Sequence, residues 1–222
     1  MYVTVEGLPA VGKTELLSVL KLYFPSQVTV LSELMFEVAA HEELDLFRDR
    51  DRLREAILRA VLRRQAAIRE ALARGQAVVE ESHLGLHAAC SAALGGRAFL
   101  EEFFRLEGEL LWPDVFVRME ASIPVSLVRQ RARGDPRYTV EAKALERMEA
   151  WLSQWHGKRG HELVVIDADR PPHEVLGKLV TILGLRYRSI PRGRRVPLHH
   201  PPQAPCSGEI QVDPTPPPPS PG

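Results

Sequence analysis

The chain is predicted to fold as an α/β protein of three layers, a five-stranded parallel sheet flanked by helices, and three observations carry that prediction. Short runs rich in β-branched residues alternate with longer stretches of helical periodicity between residues 2 and 183. Glycine and proline fall where these stretches stop. The polar residues that stand out fall at the carboxyl ends of the strand-like runs, where ligands lie in open α/β sheets. Strands separated by helices pair in parallel through right-handed crossovers.

Taken in order, Tyr2–Glu6 reads as a first strand and Glu15–Leu22 as a helix with apolar residues at helical spacing. Pro25 breaks the chain, and Gln27–Leu31 is a second strand ending at Ser32-Glu33. Arg52–Arg74 is a long amphipathic helix, with Gly75 at the place where a C-terminal glycine belongs. Gln76–Glu80 is a buried strand running into Glu81-Ser82, and Gly95-Gly96 breaks the chain before an acidic helix over Phe99–Leu111. Pro113-Asp114 introduces a fourth strand, Val115–Glu120, and Pro124 suits the first turn of a helix that Gly134-Asp135-Pro136 ends. A helix over Val140–Trp155, a strand over Leu163–Ile166, the turn Asp167-Ala168-Asp169 and a helix over Pro172–Leu183 complete the series.

The bulk properties exclude several classes. At 222 residues, 45% hydrophobic and 26% charged, the chain has material for one good core. Lys+Arg and Asp+Glu both number 29, so no global field points to nucleic acid or an anionic membrane. The two cysteines, Cys90 and Cys206, build no disulfide framework and suit a reducing cytoplasm. No leader-like segment and no apolar run near 18 residues is visible. From Ser189 onward 11 of the 18 prolines crowd into 34 residues and apolar side chains nearly vanish, so residues 1–188 are read as the folded domain and 189–222 as a disordered or polyproline tail. Its Arg192-Gly193-Arg194-Arg195 run suits an acidic partner, and Pro216–Pro219 a proline-recognising one; a solvated tail is the plainer reading.

The sharpest chemical signal is Gly7-Leu8-Pro9-Ala10-Val11-Gly12-Lys13-Thr14, which fills the pattern GxxxxGKT between a strand and a helix. Backbone N–H groups of such a loop, with the N-terminus of the next helix, form a concave cluster of positive partial charge that fits a polyphosphate. Lys13 is expected to reach the β- and γ-phosphates of ATP, and the Thr14 hydroxyl to hold Mg²⁺. Glu80 follows Ala77-Val78-Val79 as a Walker B acid does, suited to Mg²⁺ or its water shell. Arg129, Arg131, Arg133 and Arg137 crowd beside Gly134 and Pro136, the composition of a short mobile lid that brings cations to a transferring phosphate. Arg129 and Arg133, four apart, can share a face. The competing reading is a solvated basic helix end. His83 and His87 lack a third partner for zinc, and Trp112, Trp151 and Trp155 read as core or interface anchors.

The order of these pieces resembles the thymidylate kinases and deoxyribonucleoside kinases over about residues 1–185, most specifically in Pro113–Val117 and Pro124–Gly134. The resemblance implies that the fourth strand runs into a lid whose arginines, Arg129 and Arg133, close over the phosphate. It implies that Glu33, just past the second strand, takes the proton of the acceptor hydroxyl; an exposed strand-end glutamate is the alternative. It places Arg63, Arg64 and Gln65 among acceptor-binding groups, with the outer face of an amphipathic helix as the other reading. It makes Asp167-Ala168 part of the loop flanking adenine. The likeness departs at Glu80-Glu81-Ser82, because these families put arginine after the first acid. Glu81 there would repel a monophosphate acceptor and suit an uncharged or amine-bearing one.

The sequence is therefore expected to encode an ATP- and Mg²⁺-dependent phosphotransferase acting on a small acceptor, most plausibly a nucleoside or nucleotide. The alternatives are a P-loop kinase for a metabolite or antibiotic, and a non-catalytic NTP-binding regulator. Neither nucleic acid nor membrane is an expected partner; a homodimer is compatible with the reading.

Overall fold

The computed structural model describes residues 1–46, 48–134 and 136–186; the proline-rich tail, and with it the domain boundary at 188, lies outside the described residues. Five strands, β1 (Tyr2–Gly7), β2 (Val28–Leu31), β3 (Ala77–Glu81), β4 (Val115–Glu120) and β5 (Leu163–Asp167), form one parallel sheet in the order β2-β3-β1-β4-β5. The helices are α1 (Lys13–Tyr23), α2 (Leu34–His41), α3 (Arg50–Ala73), α4 (Leu84–Leu94), α5 (Arg97–Leu106), α6 (Ile123–Ala132), α7 (Ala142–Arg159) and α8 (Pro172–Ile182). The expected α/β architecture and all five strands are present.

Register decides which residues share a face. Val5 lies opposite Glu81 and Val117, whereas Thr4 lies opposite Glu80 and Phe116. Strand side chains alternate between faces, so Glu80 and Glu81 are sent to opposite sides of the sheet. On the side of Tyr2, Thr4 and Glu80, α3 packs Ile68 and Ala71 against Tyr2 and Val78. On the other side Val3, Val5 and Val79 join a core with Leu16, Leu17 and Leu20 of α1 and Leu179 of α8. Fully buried side chains such as Leu17, Leu20, Ile68, Leu145 and Leu179 each contribute about 1.5–3 kcal/mol by leaving water. The strand ends that carry the polar residues are thereby held from both faces.

Three local features depart from the sequence reading. Helix α4, Leu-Gly-Leu-His-Ala-Ala-Cys-Ser-Ala-Ala-Leu, is apolar nearly all round and packs between α5 and α7, so it shows no amphipathic stripe. Helix α2 was also unread, because its eight residues span only about two turns. The acidic helix expected to reach Leu111 stops at Leu106 and tightens into a 3₁₀ turn over Glu107–Glu109. There the buried Glu107 carboxylate turns inward to accept from Trp155 Nε1 at 2.8 Å and to pair with Arg159.

Candidate active site

The loop between β1 and α1 is held open by its glycines and tied from behind. Gly7 has φ 150°, and a Cβ there would stand 2.4 Å from the Met119 carbonyl oxygen, so only glycine fits beside β4. Gly12, in the left-handed region at φ 98°, caps α1 and turns the chain into the helix. The Ser126 hydroxyl donates to the Pro9 carbonyl at 2.7 Å, and Gln130 Nε2 donates to Ser126 Oγ at 3.0 Å. Gln130 Oε1 in turn accepts from Val140 N at 2.7 Å. One side-chain relay thus links the loop to α6 and to the chain beyond the arginine-rich turn.

Inside the loop, Lys13 is buried and its Nζ donates to the carbonyls of Gly7 and Leu8 at 3.1 and 3.3 Å. Burial lowers its pKa, and the carboxylates of Glu33 and Glu81 oppose that shift. The Thr14 hydroxyl donates to Glu81 Oε1 at 2.6 Å. Burial raises the Glu81 pKa, partly countered by the bond from Thr14.

The acid beside Thr14 is Glu81, one residue later than the sequence reading placed it. Glu80, on the opposite face, is buried and committed: it accepts from the Tyr2 hydroxyl at 2.5 Å and from Arg64 Nη1 at 3.2 Å. The alternation of a strand accounts for the correction, because a one-residue offset exchanges the faces. Glu81 is correspondingly not a free charge facing an acceptor, and the residue after the Thr14-facing acid is Ser82. Ser82 is buried at φ 64°, a conformation that residues other than glycine seldom adopt, and its Oγ has no hydrogen-bond partner among the described residues.

Around this pair stand the remaining predicted groups. Glu33 precedes α2 and is half-buried; desolvation raises its pKa against the pull of Lys13 and Arg133, which places all three within electrostatic reach. Arg133 is the exposed C-cap of α6, at the start of the arginine-rich turn. Arg129 has a different destination: its Nη2 donates to the Ala168 carbonyl and to Asp169 Oδ1, both at 3.4 Å. Asp167 accepts from Asp169 N at 2.9 Å and Ala168 N donates to the Glu120 carbonyl at 2.7 Å, so this turn is shaped beside α6. The two arginines thus have different surroundings, Arg129 bonded to the Ala168–Asp169 turn and Arg133 exposed.

The three α3 residues separate. Gln65 is a structural bracket, its Oε1 accepting from Leu111 N at 2.6 Å and its Nε2 donating to the Val61 carbonyl at 3.2 Å, so it is not free for an acceptor. Arg64 is buried between Glu80 and Glu37 of α2, and Arg63 is exposed on the outer face. Sequence reasoning missed Glu37, Ser126 and Gln130; it also carried no sign that His87 Nε2 would be buried without a hydrogen-bond partner among the described residues, its pKa pushed down to about 4 by burial, then by Arg64 and Lys13. Glu37 alone carried a signal, its four-residue spacing from Glu33.

The Thr14 hydroxyl and Glu81 carboxylate supply hard oxygen ligands at the foot of the loop, a set that fits Mg²⁺ completed by phosphate and water oxygens. Among the described residues no group of three or more His, Cys, Asp and Glu is placed to hold a metal by itself.

No protein-family model and no curated protein matches the chain. Its backbone resembles solved structures of deoxyadenosine kinase from M. mycoides. The one with the products dCMP and a flexible dCDP has a TM-score of 0.61 at 12% identity, covering 83% of this chain and 99% of that one. The one with bound dATP has a TM-score of 0.60 at 12% identity, covering 83% of this chain and 100% of the other. At this identity the likeness shows a shared fold.

Proposed function

We propose that the protein transfers the γ-phosphoryl group of ATP to a hydroxyl of a small acceptor, a nucleoside before a nucleotide. The observation that carries the reading is the convergence of Lys13, the Thr14–Glu81 pair, Glu33 and Arg133 on one loop at the carboxyl edge of the sheet.

Each group has a task that its surroundings suit. The backbone N–H groups of Leu8 and of Ala10 to Thr14 hold the phosphates, and the Lys13 ammonium exchanges the Gly7 and Leu8 carbonyls for phosphate oxygens. Thr14 and Glu81 would hold Mg²⁺, which when bound would supply positive charge to the phosphates. Arg133 adds positive charge where it develops in the transition state. Glu33 takes the acceptor proton; its raised pKa brings it nearer to the range where a carboxylate can act as base near neutral pH. On this reading the Asp167–Asp169 turn, to which Arg129 is hydrogen-bonded, flanks the donor base.

The preference for an uncharged acceptor follows from the commitment of Arg64, the buried cation on this side, to Glu80 and Glu37. A monophosphate would meet Glu33 and Glu37 without a free buried partner, which disfavours thymidylate. The similar structures belong to proteins named as deoxyadenosine kinases, which makes the four deoxynucleosides the first acceptors to test. With ATP and Mg²⁺, at least one should raise ADP release well above the acceptor-free rate, and the matching monophosphates should not. Equal, trace-level hydrolysis with every nucleoside and nucleotide would remove the nucleoside-kinase reading.

A further inference from the structure

Glu33 is the residue before α2, and its carbonyl accepts from Glu37 N at 3.2 Å, so the two acids bracket the helix's first turn. The Glu33 carboxylate forms no hydrogen bond or ion pair with another described residue, and α2 begins without a side-chain cap. Glu37, one turn on, is gripped: Arg64 Nη2 donates to its Oε2 at 2.6 Å. The other arm of Arg64 reaches Glu80 at 3.2 Å, and Glu80 is fixed from its far side by the Tyr2 hydroxyl at 2.5 Å. Side-chain exposure is graded along this chain, 5% at Glu80, 4% at Arg64 and 55% at Glu37. One end is built into the sheet and the other meets solvent on a short helix.

We propose that Arg64 is a positioning residue for Glu33: by holding Glu37 it fixes α2 to the β3 end of the sheet and so sets where the Glu33 carboxylate meets the acceptor. The proposal rests on the reading of Glu33 as the base. Arg64 does not itself bind the acceptor, because both ends of its guanidinium are spoken for. No hydrogen bond among the described residues joins the chain Tyr2–Glu80–Arg64–Glu37 to residues 8–14, and the Glu33 amide stays bonded to Glu81, so breaking the outer link should act on the Glu33 carboxylate more than on Lys13. Placement matters steeply in such a site, where an error of about 1 Å can cost on the order of 100-fold in rate.

The test uses the solvent-facing link, which can be cut without exposing a buried charge. Glu37→Ala, Glu37→Gln and Glu33→Gln are compared with the parent for ADP release, with the best of the four deoxynucleosides and with water alone, and for ATP affinity by calorimetry. Glu37→Ala should lower kcat at least about 10-fold with ATP affinity within about 2-fold of the parent. Glu37→Gln, which keeps an oxygen for Arg64, should recover most of the rate, and Glu33→Gln should be the slowest of the three. Parent-like kcat in Glu37→Ala, or equal losses in kcat and ATP affinity, overturns the proposal while a slow Glu33→Gln keeps the base assignment. Parent-like kcat in Glu33→Gln removes the base assignment and the proposal together.

Discussion

The Thr14 hydroxyl and the Glu81 carboxylate meet at 2.6 Å across the foot of the β1–α1 loop, while Glu80, one residue earlier, faces the other side of the sheet in a closed contact with Tyr2 and Arg64. Adjacent acids in one strand therefore have separate surroundings, one at the β1–α1 loop and one in the scaffold.

Their substitutions should separate accordingly. Glu81→Gln is expected to lower Mg²⁺-dependent turnover at least about 100-fold with little loss of stability, because one oxyanion-type or metal-type contact supplies on the order of 2.7–4 kcal/mol of transition-state stabilisation. Glu80→Ala leaves the buried Arg64 with Glu37 alone and the Tyr2 hydroxyl without its acceptor, and should lower the unfolding midpoint clearly more than Glu81→Gln does. Thermal unfolding and steady-state ADP release on the two variants distinguish the roles, and the reverse pattern would return the metal role to Glu80.

Gly7→Ala should fail at the level of the loop. Its Cβ would enter to 2.4 Å from the Met119 carbonyl, with φ at 150°. The residue must shift or strain by about 1–3 kcal/mol, and the amides that it aligns move with it. A lower unfolding midpoint together with weakened ATP binding is expected; parent-like ATP affinity would show that the loop tolerates the displacement.

Gln130→Ala cuts the relay from Pro9 through Ser126 to Val140. The Val140 amide loses its acceptor, a cost of about 1–3 kcal/mol for an unsatisfied buried group. Slower turnover at nearly unchanged ATP affinity is expected, because the relay fixes the base of the arginine-rich turn. Unchanged kcat would leave the relay a purely structural link.

Acid should destabilise the fold through histidines held neutral. Burial, then neighbouring histidines, pushes the His83 pKa down to about 3, and burial pushes that of His87 down to about 4. Above pH 6.5, the ordinary value, these groups are neutral folded or unfolded and cost nothing. As pH falls below it the unfolded chain binds protons that the folded chain refuses, so stability declines towards the folded values. Glu33, Glu80 and Glu81, with raised pKa values, act in the opposite sense and favour the fold as pH falls. His83→Asn keeps an acceptor for the Gly85 amide that His83 Nδ1 now caps. Thermal melts from pH 7 to pH 4 should show a shallower acid decline in that variant; an equal slope would place the acid sensitivity elsewhere.

How far this was legible in the sequence follows from what each signal depends on. The loop from Gly7 to Thr14 could be read because its spacing is itself the structure, and the strands because Val and Thr runs between glycine and proline breaks specify buried parallel edges. The Glu80–Glu81 assignment went astray because both residues fit a strand end and only the register with β1 decides which one faces α1. Gln65 and Arg64 looked like ligand groups because polar residues on the buried face of α3 carry no mark of internal partners more than ten residues away. Helix α4 escaped because a helix enclosed by others has no polar stripe.

The central claim is that the β1–α1 loop with Lys13 grips a triphosphate, and calorimetric titration of ATP with Mg²⁺ into the parent and Lys13→Ala tests it most directly. The account predicts saturable, Mg²⁺-strengthened binding to the parent that weakens at least about 10-fold in Lys13→Ala, the equivalent of one charge-assisted contact of about 1.5–3 kcal/mol. Equal ATP affinity in both proteins, or none in either, would contradict it.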